Sequence, residues 1–343
     1  MLNRRKFLGT IPLGAVLKAA EPSFERIDTH NHIHRSAPEL IESLENGGWR
    51  GLSICDSREI GDQPSRLGEM IEGTIKLHRE SKGRLAWATT FDARAFEHPE
   101  FASRVIAQLQ KDFNRDAIAV KIWKNIGMAI RSNSGEYLLP DHPSLLPIYE
   151  TIQKAGKTLM AHLADPDVAW LPLEGHADAG YFRSHPEWHM YGRAAAPSKS
   201  SILAARDRIL AHLPRLRVIG CHLGSNEEDL AQVAKRLDTY SNFAIDVAAR
   251  VRYLARHDRE KVRQFALRYQ DRIIYATDFS LGTGEDRRAA ETLQRSHDGD
   301  WAFFASGEML SLRDRQAQGL ALPEPVLRKI FRDNAARWLP GIV

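Results

Sequence analysis

Short apolar runs recur along the chain, separated by longer stretches in which apolar positions return every three or four residues. The runs at 26–32, 51–55, 85–91, 117–123, 158–163, 217–223, 243–248 and 273–278 predict eight strands. Most are continuously apolar rather than alternating, the pattern of strands covered on both faces. The gaps read as helices. Within 257–271, Val262, Phe265, Ala266 and Tyr269 step along one helical face. Val326, Leu327, Ile330, Phe331, Ala335 and Trp338 do the same, after a Pro323-Glu324-Pro325 start and before a stop at Gly341. Strand and helix alternating eight times predict an α/β fold, a (β/α)8 TIM barrel formed as a single domain by residues 21–343. A doubly wound open sheet is the alternative. Such sheets usually carry a Gly-rich turn after the first strand, where this chain has His30-Asn31-His32.

One connection is out of proportion. About 55 residues separate the fifth and sixth strands, against roughly 25–35 elsewhere. This insertion leaves the C-terminal end of a strand, and its 170–197 portion is rich in His, aromatics and Arg. It is either a lid over the barrel mouth, with Arg183, Trp188 and His189 as its candidate residues, or an excursion used in packing or dimer contacts. A second excursion, 281–322, follows the eighth strand.

Charge narrows the functional classes. The net charge of +4 is fully accounted for by Arg4, Arg5, Lys6 and Lys18, in a stretch 1–20 without an acid. The rest of the chain is neutral overall, which argues against a nucleic-acid or general polyanion binder. Residues 1–20 have a basic start, an apolar 7–17 stretch too short to span a membrane, and small Ala19-Ala20. Asn3-Arg4-Arg5-Lys6-Phe7-Leu8 resembles a twin-arginine export signal, which implies the export machinery as a partner and a periplasmic or exported product. An ordinary disordered basic tail on a cytoplasmic protein is the alternative. The two cysteines, Cys55 and Cys221, fall in separate strands and read as buried free thiols.

Four of the runs end in residues with metal-binding chemistry. His30 and His32 close the first, His162 the fifth, His222 the sixth and Asp278 the eighth. Strand residues two apart share a face, so Asp28, His30 and His32 are expected on one side. Four imidazoles and a carboxylate at strand ends predict a catalytic divalent-metal site. Nitrogen and oxygen donors suit zinc, manganese, iron or cobalt.

The ordered set Asp28-Thr29-His30-Asn31-His32, Cys221-His222-Leu223-Gly224, Thr277-Asp278 and Asp333-Asn334-Ala335-Ala336-Arg337 resembles the amidohydrolase superfamily. It is most similar to the amidohydrolase-related branch, which holds metal-dependent hydrolases together with aminocarboxymuconate-semialdehyde and resorcylate-type decarboxylases. The resemblance implies His30, His32, His162 and Asp278 as ligands of one zinc ion, with His222 and Asp278 carrying the catalytic proton transfers. It leaves Lys121 either a carbamylated bridge between two metals, a substrate-carboxylate binder or a structural ion pair. Asp28 is either a ligand or an orienting residue behind the ligands, and a homodimer is implied. The first expectation for function is hydrolysis of a C–O or C–N bond in a small lactone, ester or amide by metal-activated water. Non-oxidative decarboxylation on the same scaffold is the alternative. A non-catalytic, exported metal-binding barrel is the second, although a storage site has no use for a poised base such as His222.

Overall fold

A computed structural model describes residues 22–176, 178–312 and 315–343; the export-signal reading of 1–20 lies outside them. Nine parallel strands form one curled sheet: β1 (Arg26–His32), β2 (Trp49–Ile54), β3 (Leu85–Thr90), β4 (Ala117–Ile122), β5 (Thr158–Ala161), β6 (Arg217–Gly220), β7 (Phe243–Asp246), β8 (Ile273–Ile274) and β9 (Phe279–Ser280). Each strand from β1 to β8 pairs with its sequence neighbour, and β9 pairs with β1. The two ends of the sheet therefore belong to one short stretch, 273–280. Between β8 and β9 that stretch stays bonded to β1, with Thr29 N donating to Tyr275 O and Asp278 N to His30 O.

The strands carry two apolar layers. Ile27, Leu52, Ala88, Ala119, Met160, Ile219, Ala244 and Ile274 fill the concave side, where Trp338, Leu339 and Ile342 from the C-terminal segment also pack. The convex side packs against the helices through residues such as Trp49, Val120, Leu159, Val218 and Phe243. Burial on both faces is why the strand sequences are continuously apolar. Helices start where local chemistry allows. Asp258 caps Arg259–Arg268 by accepting from Lys261 N, and Ser198 caps Lys199–His212 by accepting from Ser201 N. The expected last helix is interrupted by a wide turn: Glu324–Arg328 and Asn334–Trp338 flank the π-helical Lys329–Asp333.

Two strands stop short of their apolar runs. β6 ends at Gly220, because His222 and Leu223 take left-handed backbone angles (φ 58° and 57°) and His222 N bonds the side-chain carboxylate of Asp246 on β7 instead of that strand's backbone. The eighth run breaks at Asp278, whose φ is 66°. The long connection after β5 contains the 3-10 turns Asp167–Trp170 and Pro186–Trp188, the helix Ala179–Ser184 and the crossover helix Lys199–His212. The 281–322 excursion supplies the helix Asp286–Ala305, packed on the helix Pro38–Asn46, and the antiparallel pair β10 (Met309–Leu312) and β11 (Arg315–Gln318). Cys55 and Cys221 are buried free thiols, as expected. Among the described residues, no helix is long and apolar enough to cross a membrane.

Candidate metal centre

The C-terminal ends of β1, β5, β6 and the 273–280 stretch bring His30, His32, His162, His222 and Asp278 together. Asp278 Oδ1 lies 3.3 Å from His32 Nε2 and 3.5 Å from His30 Nε2. The His30 ring centroid is 5.3 Å from that of His32 and 5.1 Å from that of His222, and His222 is 4.2 Å from His162. All four imidazoles are buried, while 30% of the Asp278 side chain remains exposed. The centre therefore opens to solvent on the Asp278 side.

Three of the imidazoles have their second nitrogen fixed. His32 Nδ1 lies 3.2 Å from Ile54 O and His222 Nδ1 2.8 Å from Ala248 O. A carbonyl can only accept, so Nδ1 carries the proton in both rings and Nε2 keeps its lone pair. His30 Nδ1 is 3.0 Å from Asp246 Oδ2, which fixes the same tautomer. Asp246 also accepts from His222 N at 2.7 Å and from Ala248 N at 3.2 Å, so one buried carboxylate orients two of the rings. Outer hydrogen bonds of this kind orient metal ligands and raise their basicity.

The electrostatics agree with that picture. Burial, then the nearby Lys121, pulls His30 below its usual pKa against the opposing pull of Asp246. Burial also drives His162 and His222 far below theirs, aided by Lys124 and Lys121 at His162 and by His162 and Arg250 at His222. Burial alone would raise Asp278, but the adjacent His32, His222 and His30 rings hold it well below the carboxylate range. An ionised carboxylate among neutral imidazoles is the state a dication requires of its ligands.

Two observations test whether these residues fit a divalent ion. His162 Nε2 is buried without a hydrogen-bond partner, the facing Asp165 Oδ1 standing 3.5 Å away. The Asp278–His30 and Asp278–His32 separations match the edge of a tetrahedron of nitrogen and oxygen ligands held at about 2.1 Å, which is about 3.4 Å. The donor set fits.

Lys121 is fully buried, with Nζ 3.1 Å from His30 Nε2 and 3.0 Å from Cys221 Sγ, which brings it into the centre. Asp28 is not on the face of His30 and His32. The β1–β2 ladder shifts register between Asp28 and Asn31, breaking the alternation, and Asp28 turns to Thr277 and His297. Of the three candidate lid residues, Trp188 is buried 4.8 Å from Trp123, which stands edge-on to His162 at 6.2 Å. Arg183 is exposed, and His189 Nε2 contacts Leu171 O within its own segment. Tyr181 of the same segment, not among those three candidates, accepts from buried Lys124 through its hydroxyl. Asp246 was missed in the sequence reading, although it ends the seventh apolar run just as Asp278 ends the eighth. Asp56, 3.5 Å from His32 Nδ1, and Arg250, bonded to buried Glu227, gave no comparable signal.

A curled parallel sheet with imidazoles and one carboxylate at its C-terminal edge defines the class: parallel α/β proteins with a candidate divalent-metal centre at the strand ends. The sequence model described as amidohydrolase matches residues 127–341, and the chain belongs to the amidohydrolase family. Solved structures share the fold. A 2,6-dihydroxybenzoate decarboxylase from Rhizobium is 14% identical, with 92% of this chain and 98% of that one covered at a TM-score of 0.54. A 4-oxalomesaconate hydratase from Rhodopseudomonas palustris is 11% identical, with 92% and 96% covered at a TM-score of 0.52. No curated protein matches the chain.

Proposed function

We propose that the chain is a metal-dependent non-oxidative decarboxylase acting on a small carboxylic acid, rather than the hydrolase first expected. The observation that carries this reading is the lining of the mouth. The aromatic Trp123 and Trp188 stand beside His162, and the ion pairs Lys124–Asp165, Arg250–Glu227 and Arg58–Asp56 flank the buried imidazoles. Arg250 and Lys124 both act on the His162 imidazole. The two indole faces suit a substrate with a flat apolar body. The shared fold with a dihydroxybenzoate decarboxylase agrees with this choice.

His30, His32, His162 and Asp278 would hold the ion, which when bound would supply a Lewis acid for the substrate's oxygen atoms. His222, with Nδ1 tied to Ala248 O, has only Nε2 free for proton transfer. It takes a proton there from a substrate hydroxyl as substrate binds and returns it to the carbon that keeps the electron pair of the broken C–C bond, with CO2 leaving and the hydroxyl regaining its proton from solvent. Asp246 keeps the His30 and His222 rings in place throughout.

The test incubates metal-loaded protein with a panel of hydroxylated aromatic carboxylates in 18O water. One CO2 per product and no 18O in the product is the expected result; 18O incorporated into product without CO2 restores the hydrolase. His222→Asn is expected to lower kcat by about 10²–10⁴, with metal content unchanged.

The same reading takes the sheet as a (β/α)8 barrel whose eighth strand is split into β8 and β9, and 21–343 as one domain. The segment after β5 serves as a lid held by Tyr181 and Trp188, zinc is the ion, and residues 1–20 direct export. Metal analysis of protein purified without chelators tests the ion: about one zinc per chain is expected.

A further inference from the structure

Outside the metal centre, the convex side of β1 carries a second buried histidine contact. There His297, on the helix Asp286–Ala305, is buried and stacked on Trp49, with ring centroids 3.8 Å apart at an interplanar angle of 18°. Its Nε2 is 3.0 Å from Asp28 Oδ2. Burial pulls its pKa down despite Asp28, so the ring is neutral and Nε2 is its donor. Asp28 is itself fully buried, and its other contacts all lie on the ligand-bearing backbone. Oδ2 accepts from Thr277 Oγ1 at 2.6 Å. Oδ1 accepts from Thr277 N at 3.0 Å and from His30 N at 3.3 Å. Thr277 Oγ1 in turn accepts from Phe279 N at 3.2 Å. Asp278 thus sits between two residues anchored through Asp28, in a left-handed conformation that a non-glycine residue adopts only where its surroundings enforce it.

We infer that His297 is a positioning residue for the metal centre: through Asp28 it fixes the backbone at His30 and Thr277, and so the direction of the Asp278 and His30 side chains. It touches neither the ion nor the substrate. The chemistry is that of a buried carboxylate whose donors must all be in place. Without the His297 donor, Asp28 Oδ2 loses one of its two bonds in a fully buried position, and the carboxylate shifts to recover it. A shift of a few tenths of an ångström at 277 is passed to Asp278, because no residue stands between them.

The inference rests on the proposed metal centre, and the experiment separates the two. Zinc dissociation constants are measured by competition with a chromogenic chelator for the wild type, His297→Phe and His297→Gln. Phe keeps the stack on Trp49 and loses the donor; Gln supplies an amide donor. Melting of the chelator-treated proteins reports fold stability independently. The expected result is a dissociation constant raised about 10–100-fold in His297→Phe, with kcat reduced more than KM is changed, and His297→Gln much closer to wild type. If His297→Phe melts lower but binds zinc as the wild type does, the role is structural and the inference falls. If His297→Phe does not fold, Thr277→Val, which removes the 2.6 Å bond to Asp28, must weaken zinc binding for the inference to stand. If the wild type itself binds no zinc, it is the metal centre that fails.

Discussion

The Lys124 ammonium is 2% exposed, donates to Asp165 at 2.5 Å and to Tyr181 OH at 2.9 Å, and lies 4.8 Å from the Trp188 ring centroid. Burial lowers its pKa and Asp165 opposes that shift. Removing one member of a buried pair leaves an uncompensated charge, which costs about 3–5 kcal/mol. Lys124→Met is therefore expected to lose about that much stability in urea unfolding, and Lys124→Met with Asp165→Asn to recover at least half. Equal losses in the single and double variants would mean that the ion pair is not what is being measured. At this scale the five metal-centre residues were legible because each ends an apolar run. Asp246 gave the same signal and was passed over, because the seventh run was read through to residue 248. Lys124 and Asp165 gave no signal, since they lie on different strand–helix units and meet only in the folded chain. Asp28 was placed on the wrong face because a ladder shift leaves no mark in a string of apolar letters.

The helix Leu67–Glu80 presses against the segment that leaves β1. A Cβ at Gly73 would stand 2.1 Å from His34 O, so the contact requires a residue without one. Gly73→Ala gains about 1 kcal/mol of helix propensity, yet the clash is with backbone, which cannot swing aside. The expected net effect is a loss of about 1–3 kcal/mol, read from the urea midpoint. A more stable variant would mean that the helix can move outward freely. Elements in general were legible in their centres and not at their ends. Continuous apolar runs located all eight strand positions, but β6 stops where His222 gives its N–H to Asp246, and the eighth run splits where Asp278 turns left-handed. Both breaks are made by tertiary bonds at the candidate site, which periodicity does not record.

For the whole molecule, strand–helix alternation was enough to read a parallel α/β fold, while the way the sheet ends meet was not readable. The fold also fixes a pH dependence away from the centre. Asp300 is partly buried beneath Tyr275, whose hydroxyl donates to it at 3.1 Å. Burial pushes its carboxyl up to about 7, with the Tyr275 bond pulling the other way. A carboxyl raised on folding favours the folded state in its protonated form. Its contribution is complete below the unfolded value near 3.8 and is lost as pH rises through about 7. Asp300→Asn cannot ionise, so its melting temperature relative to wild type is expected to climb between pH 5 and pH 8. A constant difference across that window would show that Asp300 is ionised throughout. The stretch 273–280 has a further consequence, for synthesis. It bonds β1 across the whole chain, Thr29 to Tyr275, a separation of 246 residues. A nascent chain therefore exposes His30 and His32 long before Asp278 has been translated. Such distant pairings form late in folding, so the candidate centre is completed only after the sheet has met itself. A truncation before residue 273 would remove the carboxylate and also leave β1 as a bare edge, open to pairing with another copy.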